Sequence, residues 1–399
     1  MPRIWDLNTL YYLQSAARRR NRWTLFNARE EETFIREFII WFEHHWPDWV
    51  NKINVNPPIG IGFTLYQSNL QTATIIARFL RENFKEIPLI AGGPQVQYEE
   101  WTHSVSTKIA PFFDSWVVGE GEAALKEIVT AQTPGRYHHP LNSMMQAGFP
   151  DFSHFELKRY GRQRALPVSF SRGCIHRCTF CAECRLFPCY KQYDPGEFVE
   201  RLQEMTQTYH LHWVTFLDSL INGDFEALAI LCEKMINRGL KLHWDAQLAI
   251  RPDMPMELFR LMKRAGCNQC FIGLETASNR LLQQIRKPYH SEEAAQFLEN
   301  MKKNQLFAEI SLIVNLPGEE ETDFHSLLDF FDKYHPLIAK IAQINPFIPL
   351  PGTPYYTKFS PDSQDKNQSK IQQILAIAEK YHIPYTKSYI QNLNFEASP

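Results

Sequence analysis

Ser171-Arg172-Gly173-Cys174-Ile175-His176-Arg177-Cys178-Thr179-Phe180-Cys181 is the stretch from which the fold follows. It comes directly after an apolar run at 167–171 with strand character, so its three cysteines sit in a loop at the carboxyl end of a strand. Their spacing is C-x3-C-x2-C. Three thiolates this close in sequence can wrap one compact cuboidal iron–sulfur cluster. The trio leaves a fourth iron without a protein ligand, and an open metal position is where a substrate can coordinate. A structural zinc site, with Cys184 or Cys189 as fourth ligand, is the alternative. Zinc sites, however, normally use ligand pairs separated by a dozen or more residues.

The other cysteines are less specific. All eight lie between Cys174 and Cys270, and five of them fall within sixteen residues. Such bunching suggests metal or cluster chemistry rather than a disulfide scaffold, whose cysteines spread along a shorter chain. Cys184 and Cys189 can be read as ligands of a second centre or as incidental thiols. Cys232 falls in an apolar helix, and Cys267 and Cys270 precede an apolar strand; all three read as core. His176 reads as loop packing.

Around this segment the chain has 399 residues, 44% hydrophobic and 22% charged, which are globular values. Lys and Arg total 42 against 44 Asp and Glu, a formal charge of -2, which argues against a general nucleic-acid binder. The run Arg18-Arg19-Arg20 then reads as the solvated face of a helix. No apolar run approaches the ~18 residues of a membrane span. The N-terminal Met1-Pro2-Arg3-Ile4-Trp5-Asp6 puts an acid where a signal peptide has its apolar core, so a cytoplasmic location is expected.

Residues 1–131 read as strands alternating with helices. Strands are expected at 2–6, 59–65, 87–91 and 115–118, and helices at 10–20, 33–46, 70–82 and after Gly121. This is an α/β pattern, a Rossmann-like doubly wound sheet with glycine turns at strand ends. Residues 132–165 contain Pro134, Pro140 and Pro150 without periodicity and read as a connection. From 166 to 356 the rhythm resumes, with strands near 167–171, 212–217, 242–247, 269–274, 308–314 and 340–347. Helices fall between them near 195–208, 225–238, 255–265, 291–304 and 321–334. Six units are too few for a closed eight-fold barrel and predict a partial (βα)6 barrel of TIM type. Residues 357–399 form a helical tail, with Ile371, Ile374, Leu375 and Ala378 on one face.

With Phe180 just before the third cysteine, Cys174-x3-Cys178-x2-Cys181 resembles the signature of the radical S-adenosylmethionine (SAM) superfamily, which lies after the first strand of a (βα)6 barrel. Further stretches resemble the same family: Phe216-Leu217-Asp218-Ser219, Trp244-Asp245-Ala246-Gln247 with Arg251 beyond, Gly273-Leu274-Glu275-Thr276, Leu316-Pro317-Gly318-Glu319 and Pro349-Leu350-Pro351-Gly352-Thr353. Upstream, Ala91-Gly92-Gly93-Pro94 and Val118-Gly119-Glu120-Gly121-Glu122 resemble the cobalamin-binding domain of one subgroup. The chain has no Asp-x-His-x-x-Gly. Its Arg3-Ile4-Trp5-Asp6-Leu7-Asn8 resembles that domain's second strand, so the opening strand–helix unit is expected to be missing and the N-terminal domain incomplete.

The resemblance implies that Cys174, Cys178 and Cys181 hold a [4Fe–4S] cluster whose free iron chelates SAM. One-electron reduction by an external flavodoxin- or ferredoxin-like donor then gives a 5′-deoxyadenosyl radical. Asp218 and Ser219 are implied contacts of the methionyl amine, Glu275 and Arg251 of the carboxylate or ribose, and Phe180 of the adenine. Glu275 and Arg251 can equally be read as a structural ion pair with each other. Gly92, Gly93 and Gly119 are implied contacts of cobalamin. The expected activity is cobalamin-dependent methylation of an unactivated carbon or phosphorus in a small molecule or peptide. A non-methylating radical cyclase or rearrangement enzyme is the second expectation, and a non-catalytic iron–sulfur or zinc partner subunit the third.

Overall fold

Strand β1 (Ile61–Thr64) pairs in parallel with β2 (Leu89–Gly92), β2 with β3 (Ser115–Val117) and β3 with β4 (Gly135–Tyr137). This is a computed structural model, and it describes residues 28–157, 165–356 and 364–386. The strand and helix expected at 2–6 and 10–20 lie outside the described residues. The chain divides into two units: residues up to Asn142 with Asp151–Phe155, and Ser143–Pro150 with Glu156 onward.

In the first unit both faces of the sheet are covered. Leu89 and Ala91 belong to a core with Phe38, Phe42, Trp46 and Ile53 of helix Ala28–Val55 and Ile76 and Leu80 of helix Leu70–Asn83. Ile90, between them in β2, faces the other way, onto Ala124 and Ile128 of helix Glu122–Ala131. Burial on both faces is why the strands read as continuous apolar runs. The first helix is longer than the expected 33–46 because Trp49, Val50 and Ile53 extend its apolar stripe. β4 lies inside the stretch read as a connection. It is three residues long at the sheet edge and is held by backbone pairing, so no apolar run announces it. The four described strands run in chain order without reversal.

In the second unit six parallel strands also run in chain order: β5 (Ala165–Val168), β8 (Trp213–Phe216), β9 (His243–Leu248), β10 (Cys267–Glu275), β11 (Phe307–Val314) and β12 (Lys340–Pro346). A short antiparallel pair, β6 (Ser171–Arg172) and β7 (Lys191–Gln192), intervenes after β5. Each crossover is helical, and the helices at Pro195–Tyr209, Phe225–Asn237, Met256–Arg264, Ser291–Lys303 and Glu321–Tyr334 match the expected spans within two residues. Alternate strand residues such as Val214, Trp244, Ile272, Ile310 and Ile344 are fully buried under these helices. The opposite face carries Gln247, Gln343 and Asn345, the last two joined by a 3.1 Å hydrogen bond.

β5 and β12 end the sheet without pairing with each other, so the barrel is open. On β12 the outer edge is partly blunted by the C-terminal segment, where Ile341 N–H donates to Pro384 O at 2.8 Å. Ile371, Ile374 and Ala378 of helix Gln364–Lys380 are buried, as their spacing predicts, while Leu375 is half-buried.

Candidate functional site

The three signature cysteines sit on one loop, residues 173–190, closed at its base by the β6–β7 pair. Gly173 makes the closure possible. Its φ is +86°, and a Cβ there would stand 2.8 Å from Cys189 O. Arg177 staples the loop across, donating to Cys174 O at 3.2 Å and Pro188 O at 2.9 Å. Backbone N–H groups already point at two of the sulfurs: His176 N to Cys174 Sγ and Glu183 N to Cys181 Sγ, both at 3.4 Å. Hydrogen bonds of this kind stabilise thiolates and tune clusters.

Cys174, Cys178 and Cys181 are half-buried and within electrostatic reach of one another, and Cys174 and Cys178 are within reach of Cys184 as well. Burial raises all three thiol pKa values, that of Cys181 to about 12, so binding a metal group here releases their protons. Among the described residues no three His, Cys, Asp or Glu side chains are arranged to hold a single metal ion. Thiols are soft ligands of the kind that hold iron–sulfur clusters.

Two strand-end loops support the cysteine loop. Thr179 N–H donates to Ile285 O at 3.1 Å, and Cys178 Sγ lies 3.9 Å from Arg286 O. Phe180 packs on Leu281, Ile285, Leu316 and Phe347, beyond β10, β11 and β12. Asp218, 1% exposed at the end of β8, accepts from Phe170 N–H at 3.0 Å, Ser171 O–H at 2.5 Å and Ser171 N–H. Burial lifts its pKa to about 6 against those donors. Its carboxylate therefore ties β8 to the root of the cysteine loop. Ser219 is exposed and donates at 2.5 Å to Glu183, whose pKa is raised by burial.

Arg251 and Glu275 do not pair with each other, which corrects the ion-pair alternative. Arg251 bonds Asp253 at 2.8 Å and the carbonyls of Asn222 and Gly223 at 3.0 Å, with its guanidinium 3.7 Å over the Phe225 ring. Glu275 pairs instead with Lys287 at 3.0 Å, both side chains largely buried. The reason is a bulge in β10 between Gly273 and Glu275, which leaves Glu275 at φ +61° and folds its carboxylate back beside Gly273. Tyr289 O–H caps the bulge carbonyls Gly273 O and Leu274 O at 3.1 Å. Lys287, Tyr289 and Glu183 carry no motif in the sequence; only Glu183, lying between Cys181 and Cys184, offered a positional signal.

In the first unit Gly92, Gly93 and Gly119 lie at or just after the carboxyl ends of β2 and β3. Gly93 has φ +95°, and a Cβ there would sit 2.8 Å from Leu65 O, so the chain's own backbone requires it. Gly119, at φ +81°, lies beside His138, whose Nδ1 is 2.9 Å from Val118 O. At Gly92 a Cβ would meet only Val117, at 3.9 Å, leaving that position accessible to close approach. Cys232, Cys267 and Cys270 are buried, as expected of core thiols, and Cys189 is exposed. His176 is partly buried; burial and the nearby Lys287 and Arg251 charges lower its pKa.

Known proteins share parts of this sequence and fold. Residues 168–331 match the family described as the Radical SAM superfamily. An uncharacterized methyltransferase of Pyrococcus horikoshii is 24% identical over 73% of this chain and 67% of its own length. The anaerobic magnesium-protoporphyrin IX monomethyl ester cyclase of Rubrivivax gelatinosus is 22% identical over 74% of this chain and 58% of its own. The chain thus spans about two thirds of the first relative and less of the second. Among solved structures, the radical SAM methyltransferase TsrM of Kitasatospora setae, with tryptophan and a SAM analogue bound, superposes with a TM-score of 0.62 at 16% identity. The match covers 77% of this chain and 66% of that one. TsrM with cobalamin and a [4Fe–4S] cluster bound gives 0.61. The shared feature is the fold.

Proposed function

We propose, from the match of residues 168–331 to the radical SAM superfamily, that the chain cleaves SAM reductively at a [4Fe–4S] cluster held by Cys174, Cys178 and Cys181, and methylates its substrate with the help of cobalamin. One observation carries the proposal: three thiols share the loop after the first barrel strand, with backbone N–H groups aimed at two of the sulfurs. When bound, the cluster supplies the low-potential electron that splits the sulfonium into methionine and a 5′-deoxyadenosyl radical.

The chain's own residues hold and shield that site. Gly173 and Arg177 keep the loop folded, and Asp218 fixes its root to β8 through Ser171. Phe180 and its apolar neighbours exclude water on the side of β10–β12. Ser219 and Glu183 offer a polar rim at the end of β8, suited to the SAM ammonium. The electron donor is of the flavodoxin or ferredoxin class. No helix among the described residues is long and apolar enough to cross a membrane.

Methylation is supported by the fold shared with TsrM and by the P. horikoshii relative. The cyclase relative favours a second reading, radical cyclisation without methyl transfer. Product analysis separates them. After anaerobic reconstitution, S-adenosylhomocysteine formed together with 5′-deoxyadenosine is expected, and 5′-deoxyadenosine alone sinks the methylation reading. The triple substitution Cys174→Ala, Cys178→Ala, Cys181→Ala is expected to abolish both iron uptake and SAM cleavage. Stoichiometric zinc with no iron or sulfide would instead favour a non-catalytic partner.

A further inference from the structure

Lys287 is a buried cation that the proposed chemistry does not use. Its side chain is 13% exposed and its partner Glu275 10%. Lys287 Nζ is held at 3.0 Å by both Glu275 Oε1 and Gly273 O. Burial works against its charge, but Glu275, Tyr289 and Cys178 hold its pKa well above normal, so it stays charged. A pair of this kind is weak as scaffolding, because well-packed apolar residues of similar volume often stabilise as much or more. Its placement is more informative. The turn that carries Lys287 is the one on which the cysteine loop rests, through Thr179 N–H to Ile285 O and Cys178 Sγ beside Arg286 O. Nζ also lies 5.5 Å from the Phe180 ring centroid, between the second and third cysteines of the signature. Its charge reaches Cys174 as well, and on Cys178 it outweighs the opposing Glu275 carboxylate.

We infer that Lys287 sets the reduction potential of the cluster proposed at Cys174, Cys178 and Cys181, favouring electron uptake. The inference rests on the cluster reading above. In the step concerned, the cluster takes one electron from a flavodoxin- or ferredoxin-class donor and becomes one unit more negative. No covalent bond forms or breaks, and no proton moves. A positive charge fixed in a low-dielectric setting stabilises the more negative state, and net charge is one of the levers on cluster potential. Glu275 is then a positioning residue: it holds the ammonium against the loop while moderating its field.

The experiment is an anaerobic redox titration of the reconstituted full chain, followed by the electron paramagnetic resonance signal of the reduced cluster. Lys287→Met is expected to lower the midpoint, so that at a fixed applied potential the reduced-to-oxidised ratio falls about tenfold, equivalent to ~59 mV for one electron. Glu275→Gln is expected to raise the midpoint, and Lys287→Arg to leave it near wild type. If Lys287→Met alone does not fold, the double variant Lys287→Met/Glu275→Gln, which leaves no unpaired buried charge, is compared with Glu275→Gln: both lack the carboxylate, and the double variant is expected to have the lower midpoint. Full iron and sulfide content with a wild-type midpoint in Lys287→Met, or with the same midpoint in the double variant as in Glu275→Gln, overturns the inference while leaving the cluster reading intact. A wild-type chain that takes up no iron overturns both.

Discussion

Gly173→Ala puts the loop geometry to a direct test. The substitution forces a side chain onto a residue at φ +86°, where an L-residue pays about 1–2 kcal/mol. It also drives the new methyl to 2.8 Å from Cys189 O and 3.3 Å from Phe187, and overpacking against fixed neighbours costs about 1–3 kcal/mol. Together these give about 3 kcal/mol, roughly a 150-fold shift in a local equilibrium. The strain is relieved most easily by opening the short β6–β7 pair, whose ladder consists of Ser171–Gln192 and Arg172–Lys191. The six-stranded sheet need not respond. Gly239→Ala is the matched control: its φ is +63°, with nothing within 4 Å of the added Cβ, so it carries only the ~1 kcal/mol backbone cost. The assay is iron and sulfide per chain after anaerobic reconstitution at limiting iron, beside far-ultraviolet circular dichroism. Gly173→Ala is expected to lose most of its cluster with secondary structure unchanged, and Gly239→Ala to load normally. Equal loading in the two variants would refute the claim that the Gly173–Cys189 approach shapes the cysteine loop.

Asp218 predicts a pH dependence. Its folded pKa, about 6, lies above the unfolded value near 3.8, so its contribution to stability is fully present below pH ~4 and is lost as pH rises through 6. Two units correspond to about 3 kcal/mol. Urea denaturation of wild type minus Asp218→Asn between pH 4 and 7.5 should show that slope, and a flat difference would rule it out. Lys370 and Glu319 form a buried ion pair joining the C-terminal helix to the loop after β11, their side chains 12% and 5% exposed. Lys370→Met strands the carboxylate and is expected to cost about 3 kcal/mol and to speed amide exchange over Gln364–Lys380; adding Glu319→Gln should restore most of it.

Much of the fold is legible in the sequence because the strands are buried on the helix side and the helices are amphipathic. Trp244, Ala246 and Leu248 alternate with His243, Asp245 and Gln247 in β9, and such patterning persists through β12. What escapes is held by backbone alone. β4, β6 and β7 are two or three residues each, and the helix Asn279–Gln284 is barely more than a turn. The site shows the same division. The cysteine spacing is a local pattern and could be read directly. The Glu275–Lys287 pair spans twelve residues and depends on a bulge that no residue type announces. Asp218 stands at its expected strand end. That three donors of Phe170 and Ser171 turn toward it is a property of how β5 leaves the sheet.

Backbone strain distinguishes scaffold from site. Of the eight non-glycine residues with positive φ among the described residues, six (His103, Gln132, His210, Arg286, Gln305 and His382) lie within two residues of a helix end. The left-handed turn there is an ordinary way to stop a helix. The other two are Glu275 and Asn315, which close the neighbouring strands β10 and β11 at their carboxyl ends. No helix needs terminating at either place. Strain of about 1–3 kcal/mol persists only where surroundings over-determine it. At Glu275 those surroundings are Lys287, Tyr289 and the Gly273 carbonyl, and Lys287 follows directly on Ile285 and Arg286, whose carbonyls meet the cysteine loop. The left-handed residue that ends β10 thus turns a carboxylate back to hold a cation whose charge reaches Cys178. Packing alone does not require that arrangement; the inferred tuning of a cluster at Cys174, Cys178 and Cys181 does.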